Sequence, residues 1–405
     1  MKVNANAKDV KKALSRRVKD IYPSKKELEK ALMSGRRLVI YHGVDPTAPD
    51  LHLGHSTNYL LLSGLQKLGH KIILLIGDFT AQIGDPTGKD KARKSLTKKE
   101  ILLNCKSYKK QIGKILDLKS KNNPASVKFN SKWLEKLTLK EVIALMSKIT
   151  SQRMLERDMF QKRIKDKRPI WLHELLYPLL QGYDSVAMNV DVEVGGNDQT
   201  FNMLVGRTLM KEYRRKEKFI ITTSLLENPK TGRKLMSKSE GKYISLNDSP
   251  RQMYGKTMAL PDEVIVPCLS MCTKASKERI FLLKNKLKNK RINPRDAKAF
   301  LAKELVSLYY GDKEAIGAEK EFKRVFKDKK RPASIKKVSI PKKEIGILDL
   351  LLEAKFSSSK SEAKRLVLQG GVKINNKIKK DWKESVQIKK GDIVQVGKKR
   401  FIEIK

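Results

Sequence analysis

The spacing of apolar residues divides this chain into strands and helices before any motif is considered. Leu38, Val39 and Ile40 form a short apolar run that predicts a buried strand. Beyond a turn, Leu60, Leu61, Leu62, Leu65 and Leu68 recur with the spacing of an amphipathic helix. Residues 71–76, Lys-Ile-Ile-Leu-Leu-Ile, predict a second buried strand. Strand, helix, strand is the opening of a parallel α/β sheet, a layout that gathers ligands at the carboxyl ends of its strands. Upstream, residues 5–35 are expected to form two helices, the second opened by Ser24 with Glu27 in a capping box. Residues 95–168 are charged and helix-periodic, with a break at Asn122-Asn123-Pro124. Residues 172–188 predict a helix carrying polar groups on an apolar run. Residues 190–194 and 219–224 predict strands, and residues 248–325 are mostly helical. The lysine-rich, proline-punctuated stretch 327–343 reads as a linker. Residues 345–405 then have the size of a separate module, with two short helices followed by short strands divided by turns. No internal repeat is present.

Composition narrows the class. A chain of 405 residues, 40% of them hydrophobic, is expected to hold two or three folded domains. Lys+Arg of 89 against Asp+Glu of 44 gives a net charge of +45, spread along the whole chain. Such a field draws polyanions, and nucleic acid is the leading partner class. A general bias toward lysine, or plain solubility, is the alternative reading of the charge. Cys105, Cys268 and Cys272 make neither a disulfide framework nor a zinc-ligand pattern and read as small buried hydrophobes. The first residues lack the apolar core of a secretion signal, and no apolar run approaches membrane-spanning length. A soluble, cytoplasmic protein with no membrane partner is the expectation, and no protein-held metal is expected.

The candidate chemistry is concentrated in turns. Between Tyr41 and His55 lie two prolines, two glycines and three histidines, at a strand-to-helix junction. Gly54 beside a helix N-terminus lets an anion approach backbone N–H groups, and His52 and His55 add donors for phosphate oxygens. Taken alone, the stretch could equally be a helix start with surface histidines. Gly84-Asp85-Pro86-Thr87-Gly88-Lys89 fails as a Walker A loop: the spacing between glycines is one short, and Asp90 stands where Ser or Thr should be. A nicotinamide enzyme is disfavoured for want of a G-x-G-x-x-G in the right context. The cluster of Lys89, Lys91 and Arg93 could hold a polyphosphate or be a solvated loop. Farther on, Lys238 lies between Ser237 and Ser239 on a glycine-containing loop and could swing onto phosphates as a leaving group departs.

Together these stretches resemble the class I aminoacyl-tRNA synthetases, and among them the bacterial tyrosyl-tRNA synthetases over essentially the whole chain. The resemblance is carried by residues 45–55 (Asp-Pro-Thr-Ala-Pro-Asp-Leu-His-Leu-Gly-His), 83–88, 177–184 (Tyr-Pro-Leu-Leu-Gln-Gly-Tyr-Asp), 195–199 (Gly-Gly-Asn-Asp-Gln) and 236–239 (Met-Ser-Lys-Ser). It implies a Rossmann-like parallel-sheet nucleotide-binding domain over 1–230, with a helical insertion at about 95–170. A mobile Lys-Ser loop and an α-helical anticodon-side domain follow over 231–325. A linker (326–343) then leads to a small α+β S4-like RNA-binding domain over 344–405.

By the same resemblance, Tyr177, Gln181 and Asp85 hold a substrate ammonium, while Asp184 and Tyr41 bind the hydroxyl of tyrosine. Tyr177, Gln181 and Asp184 fall at i, i+4 and i+7, hence on one helix face. Asp198 would take the ATP ribose, with Gln199 near the reacting groups; Gly43, Asp45, Gly54, Gly196, Met236 and Ser237 complete the ATP site with His52, His55 and Lys238. Catalysis would be positioning and charge stabilisation by Thr47, His52, His55, Lys89, Arg93 and Lys238, with magnesium carried on ATP. The implied partners are tRNA(Tyr), L-tyrosine, ATP and a second copy of the chain. Lys360, Lys364 and Arg365 are the candidate RNA contacts.

Two departures stand out. Leu235 occupies the place of the first lysine of the family's Lys-Met-Ser-Lys-Ser, with Lys234 one position early, and Thr200-Phe201 replace the Trp-Gly that some members carry. The rival readings are a tryptophanyl enzyme, which Asp184 paired with Tyr41 argues against, and a non-catalytic RNA-binding relative.

Overall fold

The computed structural model describes residues 2–87, 96–236, 243–326, 335–341, 343–397 and 400–405. The chain forms two compact units, Met1–Ile316 and Gly317–Lys405.

The first unit is built on a six-stranded sheet of β1 (Val18–Tyr22), β2 (Val39–Val44), β3 (Lys71–Ile76), β4 (Ser126–Phe129), β5 (Val192–Gly196) and β6 (Phe219–Thr223). Their spatial order is β1-β6-β5-β2-β3-β4. Strands β2 to β6 are parallel, and β1 runs antiparallel at the edge. The chain winds outward from β2 through β3 to β4, then returns to the other side of β2 for β5 and β6. The sheet therefore reverses direction between β2 and β5, where a crevice opens in folds of this kind. The β2–β5 register covers only Ile40 opposite Val192 and Tyr41 opposite Glu193, so the two strands part at their carboxyl ends.

The structure corrects the expectation at three short strands. Residues 5–35 hold the helices Ala7–Leu14 and Lys25–Met33 but also β1 between them. The stretch expected to be a helical insertion contributes β4 to the sheet, alongside β3. Part of the expected linker is a strand as well, described below. Each has few apolar residues, and each is held by a neighbour's backbone rather than by its own pattern.

The Leu53–Lys67 helix is buried along most of its length, which gives it little amphipathic contrast. The Leu172–Met188 helix is pinned at its start by Glu174, which accepts from the Trp171 backbone N–H and pairs with buried Arg163 at 2.8 Å. It packs against the Thr200–Arg214 helix through Gly182 and Gly206: a Cβ on Gly182 would lie 3.1 Å from the Gly206 backbone. Residues 250–326 form the helices Pro250–Met258, Ile265–Cys272, Lys277–Lys288, Pro294–Tyr310 and Asp312–Phe326. Arg16 and Arg17 donate to carbonyls at the end of the Ile265–Cys272 helix, tying the amino-terminal segment to this layer. Cys268 and Cys272 are buried there as free thiols.

His70 gives the first unit a pH-dependent element of stability. Its ring is buried, and Nδ1 accepts from the Leu38 backbone N–H at 3.3 Å. Burial pushes its pKa from 6.5 down to about 4, with Asp191 opposing and Arg37 adding to the shift. Between those values the unfolded chain binds a proton that the folded chain refuses. The contribution is complete above pH 6.5 and is lost as pH falls toward 4. In urea unfolding between pH 7 and pH 4.5, the wild-type midpoint should drop more steeply than that of His70→Asn; parallel curves would refute the assignment.

The second unit carries a five-stranded sheet in the order β10-β9-β12-β13-β7 and a two-stranded pair β11-β8. The strands are β7 (Lys336–Val338), β8 (Glu344–Gly346), β9 (Val372–Ile374), β10 (Lys377–Lys379), β11 (Ser385–Gln387), β12 (Ile393–Val396) and β13 (Arg400–Ile404). β7, in the stretch read as linker, adds in parallel to β13. The helices Ile347–Glu353 and Lys360–Leu368 cover a core of Ile347, Leu350, Leu351, Ala363, Val367, Val372, Val394 and Ile402.

Candidate active site

A cavity of about 500 Å³ opens at the carboxyl ends of β2 and β5. It is lined by Tyr41, Gly43, Asp45, Thr47, His52, Gly54, His55, Asp85, Tyr177, Gln181, Asp184, Gly196, Asp198, Gln199 and Met236. These are all the catalytic-domain candidates that fall within the described residues. Lys89, Arg93, Ser237 and Lys238 lie outside them. Met236 and Tyr243, the described neighbours of the Lys238 segment, both sit by the histidine turn. Met236 Cβ is 3.8 Å from where a Gly54 Cβ would be, and the Tyr243 ring is 6.2 Å from that of His52. The Leu53 N–H donates to the Ile244 carbonyl and the Leu246 N–H to the Leu51 carbonyl, which docks the chain after that segment onto the turn.

At one end of the cavity a carboxyl group waits among donors. Asp184 is buried and accepts from Trp133 Nε1 at 2.7 Å and from Asn130 Nδ2 at 3.2 Å, one donor to each oxygen. Burial pushes its pKa up, and the two donors pull it back. Tyr41 shares this end, but its hydroxyl bonds Ser185 Oγ at 2.9 Å rather than Asp184. Burial, with the charges of Glu193 and Asp184, keeps that phenol protonated.

The middle of the cavity is a chain of side chains whose orientations are fixed by carboxylates. A carboxylate can only accept, so Gln199 turns its Nε2 to Asp85 Oδ2 (2.8 Å) and Gln181 its Nε2 to Glu193 Oε1 (3.1 Å). Asn202 Nδ2 donates to both amide oxygens, Gln181 Oε1 at 2.9 Å and Gln199 Oε1 at 3.0 Å. Tyr177 donates to Asp45 Oδ2 at 2.8 Å. Asp45 also accepts from Thr80 at 2.8 Å, over Gly77, where a Cβ would meet the Asp45 carboxylate at 2.0 Å. Asp85 takes Thr87 N–H at 3.0 Å, and Arg157 donates to the Thr87 hydroxyl at 2.7 Å. Acceptors from Tyr177, Gln181 and Asp85 therefore converge where a cation could sit.

The remaining end suits an anion. His52 N-caps the Leu53–Lys67 helix, and its backbone N–H donates to His55 Nδ1 at 3.2 Å. That bond makes Nδ1 an acceptor, so a neutral His55 carries its proton on Nε2. His42, buried beneath, holds β2 to β5 where their ladder stops, with Nδ1 2.8 Å from the Val194 carbonyl. Burial pushes its pKa down, so it stays neutral and donates that proton. Lys234 reaches into the cavity to pair with Asp198 at 3.0 Å.

Several of these groups carry no motif. Asn130 and Trp133 follow β4, in the stretch read as helix-periodic with a break at Asn122-Asn123-Pro124; Ser185, Glu193, Asn202 and Lys218 are polar residues that only the packing brings together. In the second unit, Lys360 pairs with Asp349 at 2.7 Å, the Lys364 ammonium lies 3.9 Å over the Trp382 ring, and Arg365 is exposed.

A parallel sheet with a cavity at its switch point and a histidine turn at a helix N-terminus form the arrangement of a nucleotide-binding domain, and a separate strand-rich module follows it in the chain. Residues 33–327 match the family model described as tRNA synthetases class I (W and Y), and residues 346–394 match the S4 domain. The chain belongs to that synthetase family. It is 44% identical over 380 residues to "Tyrosine--tRNA ligase 2" of Clostridium acetobutylicum, covering 94% of this chain and 93% of that one. It is 45% identical over 393 residues to the tyrosine--tRNA ligase of Thermotoga maritima, covering 97% and 96%. In fold it is similar to a C-terminally truncated mitochondrial tyrosyl-tRNA synthetase of Aspergillus nidulans, with a TM-score of 0.66 at 24% identity, over 79% of this chain and 97% of that one.

Proposed function

We infer that the chain is an ATP-dependent tyrosine–tRNA ligase. The observation that carries this reading is one cavity holding Asp184 at one end and the His52–His55 turn at the other. Tyrosine spans the first two regions: its hydroxyl donates to Asp184 and accepts from Tyr41, and its ammonium meets Tyr177, Gln181 and Asp85. The carboxylate is then left pointing toward the nucleotide. It is ionised at neutral pH and needs no base. Its oxygen attacks the α-phosphorus of ATP, the bond from that phosphorus to the bridging oxygen breaks, and pyrophosphate leaves with the electron pair. His52, His55 and Thr47, with Lys89, Arg93 and Lys238, stabilise that charge; ATP brings magnesium on its phosphates, and Asp198 takes the ribose. The tyrosyl group then passes from adenylate to the terminal adenosine of tRNA(Tyr), whose body the second unit grips through Lys360, Lys364 and Arg365.

Self-association accompanies this reading. Leu139, Ile143 and Met146 make an apolar stripe along one helix face, 76%, 57% and 48% exposed. A homodimer that covers such a stripe is consistent with its exposure. No helix among the described residues is long and apolar enough to cross a membrane. We place the enzyme in the cytoplasm, with its tRNA.

Exchange of labelled pyrophosphate into ATP, screened over the twenty amino acids, tests the assignment. Exchange with tyrosine alone is expected. Exchange with tryptophan and none with tyrosine would overturn it, as would tRNA binding without any exchange. Within that assay, His55→Ala should lower kcat about 100-fold with the KM for tyrosine little changed, since its donor serves charge that develops as pyrophosphate leaves. An unchanged kcat would remove His55 from that role.

A further inference from the structure

A buried ion pair lies behind the amino-acid end of the cavity, and no step above uses it. Lys218, just ahead of β6, has a fully buried side chain. Its ammonium pairs with Glu193 and donates to Ser185 Oγ at 3.0 Å. It occupies the space beside Gly206, where a Cβ would come within 2.5 Å of Nζ. The missing side chain at the helix crossing thus makes room for this cation.

Both partners of Lys218 touch residues that read the substrate. Ser185 bonds Tyr41, at the hydroxyl end, and Glu193 accepts from Gln181, at the ammonium end. An ammonium can only donate, so Ser185 must accept from it; a hydroxyl polarised in this way donates onward, here to Tyr41. The Tyr41 proton is then left for another acceptor, the neighbouring Glu193 carboxylate or the substrate hydroxyl. Glu193, 3% exposed, faces the Lys218 ammonium, and a carboxylate can only accept, so it must take the Gln181 N–H. That fixes Gln181 Oε1 as the acceptor, shared between Asn202 Nδ2 and the substrate ammonium.

We propose that Lys218 is a positioning residue for amino-acid recognition, setting through Ser185 and Glu193 the direction of the hydrogen bonds that Tyr41 and Gln181 offer the substrate. The proposal rests on the tyrosine–tRNA ligase reading.

Pyrophosphate exchange by full-length Lys218→Met, read as kcat and KM for tyrosine, phenylalanine and ATP, tests it. The KM for tyrosine should rise about tenfold and the tyrosine preference over phenylalanine should fall, with the KM for ATP unchanged. Lys218→Met/Glu193→Gln removes both charges, so its melting temperature should return toward wild type while the KM for tyrosine stays high. Recovery of both together would show a purely structural ion pair and overturn the proposal. Ser185→Ala leaves the pair intact and keeps the proposal testable if both lysine variants fail to fold: its tyrosine preference should fall several-fold, about 1 kcal/mol of one hydrogen bond, and an unchanged preference would overturn the proposal. If wild type itself shows no tyrosine-dependent exchange, the ligase reading fails; if wild type exchanges and the variants match it, only the positioning role fails.

Discussion

Asp184→Ala should lower kcat/KM for tyrosine about 100-fold while leaving that for phenylalanine nearly unchanged. A hydrogen bond from the substrate hydroxyl to a charged acceptor contributes about 1.5–3 kcal/mol, which alone gives about 10- to 150-fold. The variant also strands the Trp133 Nε1 and Asn130 Nδ2 donors that Asp184 now satisfies. Phenylalanine makes no such bond in either protein, so discrimination collapses through the loss for tyrosine. Asp184→Asn sharpens the test, because its amide keeps the volume but has one acceptor oxygen where the structure uses two. Trp133 or Asn130 would then face an amide N–H. The KM for ATP should not move in either variant. Wild-type tyrosine preference in Asp184→Ala would remove this carboxyl from substrate recognition.

The sequence was most readable where one element buries a long apolar run. The expected helix over 172–188 coincides with the observed Leu172–Met188, and the expected strand at 71–76 with β3. β3 is buried at every position after Lys71 and reads as an unbroken apolar run, whereas the helix shows an apolar run interrupted by the polar groups it carries to the cavity. β1, β4 and β7 are short, partly polar and at sheet edges, so their own residues hold little of the signal; a neighbour's backbone completes them. The same division runs through the site. Residues in fixed-spacing turns, such as His52, His55 and Gln199, were legible because the local chain dictates their placement. The network behind them was not. Asn202 joins Gln181 to Gln199 only once two helices meet at Gly182 and Gly206. Lys218 is one of 89 basic residues, and nothing in its neighbours distinguishes it from a solvated lysine. The crossing that leaves Gly206 bare is what turns it into a buried partner of Glu193.

A chain ending at Phe326 should retain tyrosine-dependent pyrophosphate exchange within about twofold and lose about 100-fold in kcat/KM for charging tRNA. Every described residue of the cavity belongs to the first unit, so activation has no need of the second. The second unit has its own apolar core, and its loss leaves the sheet of the first intact. Charging differs because tRNA must be held while its terminus enters the cavity. Lys360 pairs with Asp349 at the surface, a bond weak enough to exchange for a phosphate, and Arg365 is already exposed. Contacts of this kind release counterions, so the salt dependence separates the two explanations for a loss. If the second unit holds phosphates, the slope of log kcat/KM against log salt should shrink by about one for each contact removed. An equal loss of exchange and charging would instead make the second unit a structural support for the first, and an unchanged salt slope would deny it a grip on the RNA backbone.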